Sequence, residues 1–148
     1  MSDDLIDTKP TTVFWIVGAA ALIWNLIGVM MYVMTVTATP ESYAAQGYGP
    51  EQIDFVTATP PWATAVFATA VNAGALAALF LLLRKSWAVP VFVLSLVAVL
   101  ILDVYNFVIR DTFGMFGMGA AGMQALILIL AILQVMYAGH ARNRGWLT

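Results

Sequence analysis

From Val91 to Arg110 the chain reads VFVLSLVAVLILDVYNFVIR, an almost unbroken apolar run with one carboxylate, Asp103, inside it. A run of this length and apolarity specifies a membrane-spanning helix. Hydrocarbon offers no water to backbone N–H and C=O groups, so a spanning segment has to pair them internally. The carboxylate adds a second constraint. An Asp within such a helix costs ~2.5–3.5 kcal/mol on insertion scales, so it calls for a partner, a proton or a water-filled cavity.

Three further runs share this character, and together the four predict spans at about 13–36, 61–83, 87–109 and 119–138. The expected fold is an all-α membrane protein, a bundle of four transmembrane helices forming one domain over residues 1–148. Composition agrees: 62% of residues are hydrophobic and 9% charged, against about 25% charged in soluble domains. Such a chain would expose large apolar patches in water. A net charge of −2 with no basic patch argues against nucleic acid as a partner. The absence of cysteine excludes disulfides, thiolate metal sites and iron–sulfur clusters. The single histidine, His140, provides no metal-ligand set and reads as a solvated tail residue. No phosphate-binding loop, H-E-x-x-H or nucleophile motif occurs, so neither an enzyme nor a cofactor is expected. The start, MSDDLIDTKP, is acidic where a secretory signal is basic, so the first run is expected to stay as a helix.

The longest connection, Thr37–Pro61, carries a direct repeat, VTATP, at Val36–Pro40 and Val56–Pro60. A Thr before a Pro suits an N-cap followed by a first helical residue. The first copy predicts a short helix at Glu41–Gln46 ended by Gly47, and the second predicts the start of the second span. Between them Gly49-Pro50-Glu51 opens another short, interfacial helix. Arg84-Lys85-Ser86 reads as a tight basic turn and Asp111–Met118 as a loop, while Gly139 is expected to end the last span. Small residues recur on the second span (Ala70, Gly74, Ala78, widened by Ala73 and Ala77) and on the fourth (Gly117, Ala121, Ala125). Such strips allow close helix approach in lipid and point to contacts between protomers, hence a homo-oligomer or a larger membrane complex.

Basic residues set orientation. With four spans, Lys9, Arg84, Lys85, Arg142 and Arg144 share the side of both termini, and Arg110 alone lies opposite. Both termini are therefore expected in the cytoplasm. Trp15, Trp87 and Trp146 would mark the inner interface and Trp62 the outer one.

The candidate site follows from the polar residues inside the spans. Gly18, Asn25 and Tyr32 share a face of the first span with Gly28 close by, and Asp103, Asn106 and Arg110 share a face of the third. Asn25 and Asn72 each lie eleven residues from the outer ends of their runs, at Val36 and Pro61, or ~16 Å deep at ~1.5 Å per residue. Asp103 and Gln124 both fall ~8–9 Å deep. Equal depths suggest two pairs, Asn25–Asn72 and Asp103–Gln124. One reading makes them interhelical hydrogen bonds that fix register, worth ~0.6 kcal/mol each on average. The other makes Asp103, Asn106, Asn25, Asn72, Gln124 and Arg110 the lining of a cavity open to the outside that binds a proton, a cation or a polar solute. The corresponding functions are transport of a small solute, proton or ion, or a non-catalytic accessory or scaffold role in a larger complex.

Several segments, Trp24–Met30 with Tyr32, Pro60–Ala63, Arg84–Val91 and Tyr105–Phe107, resemble a group of small four-span bacterial inner-membrane proteins often labelled sugar transporters. The resemblance covers most of the chain and implies the bacterial inner membrane as its location. Spacing alone shows no constellation of carboxylate, amide and stacking aromatic of the kind that reads a sugar; Trp24 and Tyr105 are the aromatics placed to offer stacking surfaces.

Overall fold

The structure, a computed structural model, describes residues 9–148. The acidic stretch before Lys9, on which the reading of the chain start rests, lies outside the described residues. Four helices are long and apolar enough to cross a membrane: α1 (Thr12–Thr37), α4 (Pro61–Leu82), α5 (Ala88–Val104, continued by a π-helical turn Tyr105–Ile109) and α7 (Met118–Asn143). Three short helices, α2 (Pro40–Ala45), α3 (Pro50–Thr57) and α6 (Thr112–Phe116), lie at the opposite end from the termini. No strand occurs among the described residues, and the protein is an all-α membrane bundle.

The spans pack in chain order, α1 on α4, α4 on α5 and α5 on α7. The α1–α4 seam consists of the spacing-of-seven residues. A Cβ on Gly18 would strike the Leu82 side chain, one on Gly28 would meet Val71, and Tyr32 sets its ring edge-on to Phe67 with centroids 5.5 Å apart. On α4 the small residues Ala70, Ala73, Gly74, Ala77 and Ala78 are all buried, because α4 is the inner helix, flanked by both α1 and α5. That strip closes the bundle internally and does not form the protomer contact expected of it.

Helix boundaries follow local chemistry. Thr39 caps α2 in a reciprocal box with Ser42, and Gly47 leaves the helix at φ 93°, as the first repeat copy predicts. The second copy behaves differently. Pro60 is the cap residue of α4 and Thr59 turns its hydroxyl back to donate to the Val56 carbonyl at 2.8 Å. The Asp111–Met118 segment is not a plain loop: Asp111, in the left-handed region at φ 52°, accepts from the Gly114 N–H at 3.1 Å and starts α6.

At the terminus end, α7 runs past Gly139 to Asn143. The helix ends in a Schellman motif: the Trp146 N–H donates to Ala141 O and the Gly145 N–H to Arg142 O, with Gly145 at φ 73°. The chain then hooks back so that Trp146 and Leu147 are buried with Phe14, Leu81, Ala88, Ala138 and Ala141. A second Schellman motif ends α4, with Arg84 in the left-handed region at φ 58°. Thr148 holds that turn, donating to the Arg84 carbonyl from its N–H at 2.8 Å and from its hydroxyl at 3.1 Å. Trp146 is thus a core residue, 5% exposed, and not an interface marker; Trp15, Trp62 and Trp87 are exposed.

Candidate functional site

Outward from this apolar plug the bundle contains a cavity of about 840 Å³, walled by all four spans. Its floor is a polar joint. The Asn25 amide donates to its own helix at Ala21 O and across to Gln134 Oε1 of α7, both at 2.7 Å, and Gln134 donates to Leu130 O at 3.1 Å. The Asn25 side chain lies where a Cβ on Gly74 would stand, so the missing side chain of Gly74 is what admits the amide between α1 and α4. Beside it the buried Ser95 hydroxyl donates to Ala70 O at 2.7 Å.

The wall above the floor carries Asp103, Asn106 and Gln124. Asp103 Oδ1 is buried and has no hydrogen-bond partner. Among the described residues the other such atom is Thr112 Oγ1 in α6, so within the spans Asp103 stands alone. The π turn follows directly on Val104, with the Arg110 N–H reaching back to Tyr105 O at 2.9 Å. It widens the helix and lets Tyr105, Asn106 and Arg110 all contribute to the lining; π turns recur at functional sites.

Arg110 marks the loop end of the cavity. Its guanidinium donates to Thr59 Oγ1 at 2.8 Å and to the Phe55 carbonyl, and stacks over the Phe55 ring at 4.0 Å. It ties α3 to α5 and makes no salt bridge to Asp103. Tyr43 of α2 and Val56 of α3 bound the same end. The cavity therefore departs from a plain opening to the outside. Its rim includes Ile27 and Met31 of α1 and Met123 of α7, which are 46%, 50% and 54% exposed. The described side-chain contacts between α1 and α7, Phe14–Tyr137 and Asn25–Gln134, lie at or below the floor. Ile27, Met31 and Met123 thus belong both to the lining and to the exposed surface of the bundle.

Asn25, Asp103, Asn106, Gln124 and Arg110 thus share one cavity, while Asn72 is not in its lining. Asn72 is exposed and donates to Ala68 O of its own helix at 2.8 Å, so Asn25 and Asn72 do not pair. Equal depth fixes height but not azimuth. On α4, Asn72 falls with the exposed Leu76, Leu79 and Leu83, away from the buried small residues. Gln134 takes the place expected of Asn72; its signal was its being the other amide in the last span. No hydrogen bond joins Asp103 Oδ1 to Gln124. Asn72→Leu is expected to raise stability by about 1 kcal/mol, since it takes an amide out of hydrocarbon. Unfolding of the variant in detergent checks this, and a clear loss of stability would place Asn72 inside the bundle.

Polar residues that only hold a membrane bundle together find partners. Asn25, Gln134 and Ser95 do; Asp103 Oδ1 is buried without one. Among the described residues no three His, Cys, Asp or Glu side chains come close enough to hold a metal ion. Compared with protein families, with curated proteins and with solved structures, the chain matches none of them.

Proposed function

We propose that the protein carries a small solute across the membrane and binds it in the cavity around Asp103. The observation that supports this best is that Asp103, which keeps one buried carboxylate oxygen unpaired, is among the residues lining a ligand-sized space. An intramembrane ionisable group that lines a cavity reads as functional before it reads as structural. Carrying requires access from both sides. The α1–α7 floor at Asn25–Gln134 is a single interhelical hydrogen bond, and rocking α1 from α7 about the terminus-end plug would break it. The excess of basic residues at the terminus end puts that end in the cytoplasm. The resemblance to small four-span proteins supports the bacterial inner membrane and a transport role.

The test is uptake into proteoliposomes over a panel of cationic, anionic and neutral solutes. Asp103→Asn is expected to lower the flux of the carried solute about 30-fold or more, the factor set by losing a buried charge partner, while the protein still elutes as a folded species. Unchanged flux in the variant, or no flux of any solute in the wild type, overturns the proposal.

The outer half of α7 favours a second reading. A Cβ on Gly119 or Gly122 would meet nothing within 4 Å, and Met118, Met123 and Leu126 are exposed. An accessory or scaffold subunit would use this face against another membrane protein. A stoichiometric partner after extraction in mild detergent supports that reading; a homogeneous single species opposes it.

A further inference from the structure

We infer that the solute bound at Asp103 is a lipophilic organic cation, a positive head on an aromatic or branched apolar body. This rests on the carrier reading above and specifies its substrate class. The charge argument comes first. Within the spans the buried polar atom left without a partner is a carboxylate oxygen, which attracts a cation and repels an anion. The other charged group in the lining, Arg110, sits at the loop end of the cavity, where its guanidinium donates to Thr59 and Phe55 and stacks on the Phe55 ring. A calcium or magnesium ion takes about six or more oxygen ligands, and no group of three His, Cys, Asp or Glu side chains gathers around a metal position among the described residues.

The walls decide the rest. Trp24, Phe67, Phe92 and Tyr105 line the space with aromatic surface, and an aromatic face attracts an organic cation once water is excluded. A polyol fits badly. The amides of Asn25 and Gln134 are committed to each other and to their own helices, which leaves Asn106 and Gln124 as the lining amides for the many hydroxyls of a sugar among largely apolar walls. The volume of about 840 Å³ lies within the range of small-molecule sites, ~300–1,000 Å³. Three lining residues, Ile27 and Met31 of α1 and Met123 of α7, are also exposed on the bundle surface. That side faces acyl chains, the phase in which a lipophilic cation concentrates.

The experiment uses the full chain in phosphatidylcholine nanodiscs, with empty nanodiscs as the partition control. Tetraphenylphosphonium and tetraphenylborate share four phenyl groups on a central atom and carry opposite charge. Binding is read by calorimetry and by fluorescence of Trp24 and its neighbours, alongside a panel of mono- and disaccharides. We expect saturable binding of tetraphenylphosphonium and only partition of tetraphenylborate. Asp103→Asn should weaken the cation about 30-fold or more, and Asp103→Glu should retain it. Ala131→Phe, which fills the cavity and keeps the charge, should also abolish binding, so the test survives misfolding of either Asp103 variant. Equal cation binding by Asp103→Asn or by Ala131→Phe overturns the inference, as does tetraphenylborate saturating as tightly. Saturation by a saccharide with mere partition of the cation overturns the substrate class and leaves the carrier reading standing. If no probe saturates, both fall.

Discussion

Gly74→Ala is expected to lower the stability of the bundle by about 2–4 kcal/mol through one added methyl group. The Cβ would stand 2.9 Å from the Asn25 side-chain amide carbon and 3.2 Å from Ser95 Oγ. Neither neighbour is free to yield. Asn25 is held by Ala21 and Gln134, and Ser95 by Ala70. The methyl therefore either displaces the amide, breaking the floor between α1 and α7, or pushes α1 off α4. Other glycines grade the effect. At Gly28 a Cβ meets the Val71 methyl at 3.2 Å, a side chain that shifts at smaller cost, and the loss should stay below about 1 kcal/mol. At Gly122 nothing lies within 4 Å, and alanine should stabilise by up to ~1 kcal/mol through helix propensity. Unfolding of the three variants in one detergent checks the series. Equal stability of Gly74→Ala and Gly122→Ala would show that the Asn25 joint does not exist.

The seam built on Gly18, Asn25, Gly28 and Tyr32 was open to sequence reading because a spacing of seven marks one helical face. Its role was less legible. A face that combines glycine with an amide reads as a polar lining, yet most of it is the contact between α1 and α4. The four spans were legible because length and apolarity alone decide them. Azimuth was not: depth put Asn72 level with Asn25, while the small residues on α4 already pointed to a buried face about 200° away from it, two positions along a helix of ~100° per residue. The π turn after Val104 and the extension of α7 beyond Gly139 had no local signal. Both depend on tertiary contact. Ala138 and Ala141 continue the helix because the hooked-back Trp146 and Leu147 cover them, and Gly145 supplies the left-handed stop that Gly139 does not. At the cavity the sequence pointed to Asp103 through the rarity of a carboxylate in hydrocarbon. Gln134 escaped because α7 starts farther out than α1, which places residues of unequal count from their helix ends at one level.

Trp146→Ala is expected to cost about 3–5 kcal/mol, the range for emptying a large aromatic site in a core. The indole is 5% exposed and sets its ring edge-on to Phe14, itself fully buried, with centroids 5.7 Å apart. It also covers the end of the α4–α5 turn, where the Arg84 Nε–H donates to the Trp146 carbonyl at 2.8 Å. Arg84 adopts a left-handed conformation that glycine would hold without strain, at a cost of ~1 kcal/mol or more for a side-chain residue. The hooked segment offsets that cost through Thr148 and Trp146, so loss of the indole weakens packing and turn together. Trp87, on the same turn but 69% exposed, is the control; Trp87→Ala should stay within about 0.5 kcal/mol. Stability alone does not exhaust the consequence. The plug of Phe14, Leu81 and Trp146 lies between the cavity floor and the terminus end, and under the carrier proposal it is the barrier on that side. Liposomes carrying Trp146→Ala should then leak the carried solute down its gradient while Trp87→Ala liposomes remain tight. A variant that unfolds as easily as predicted but holds the gradient would move the barrier to the Asn25–Gln134 floor.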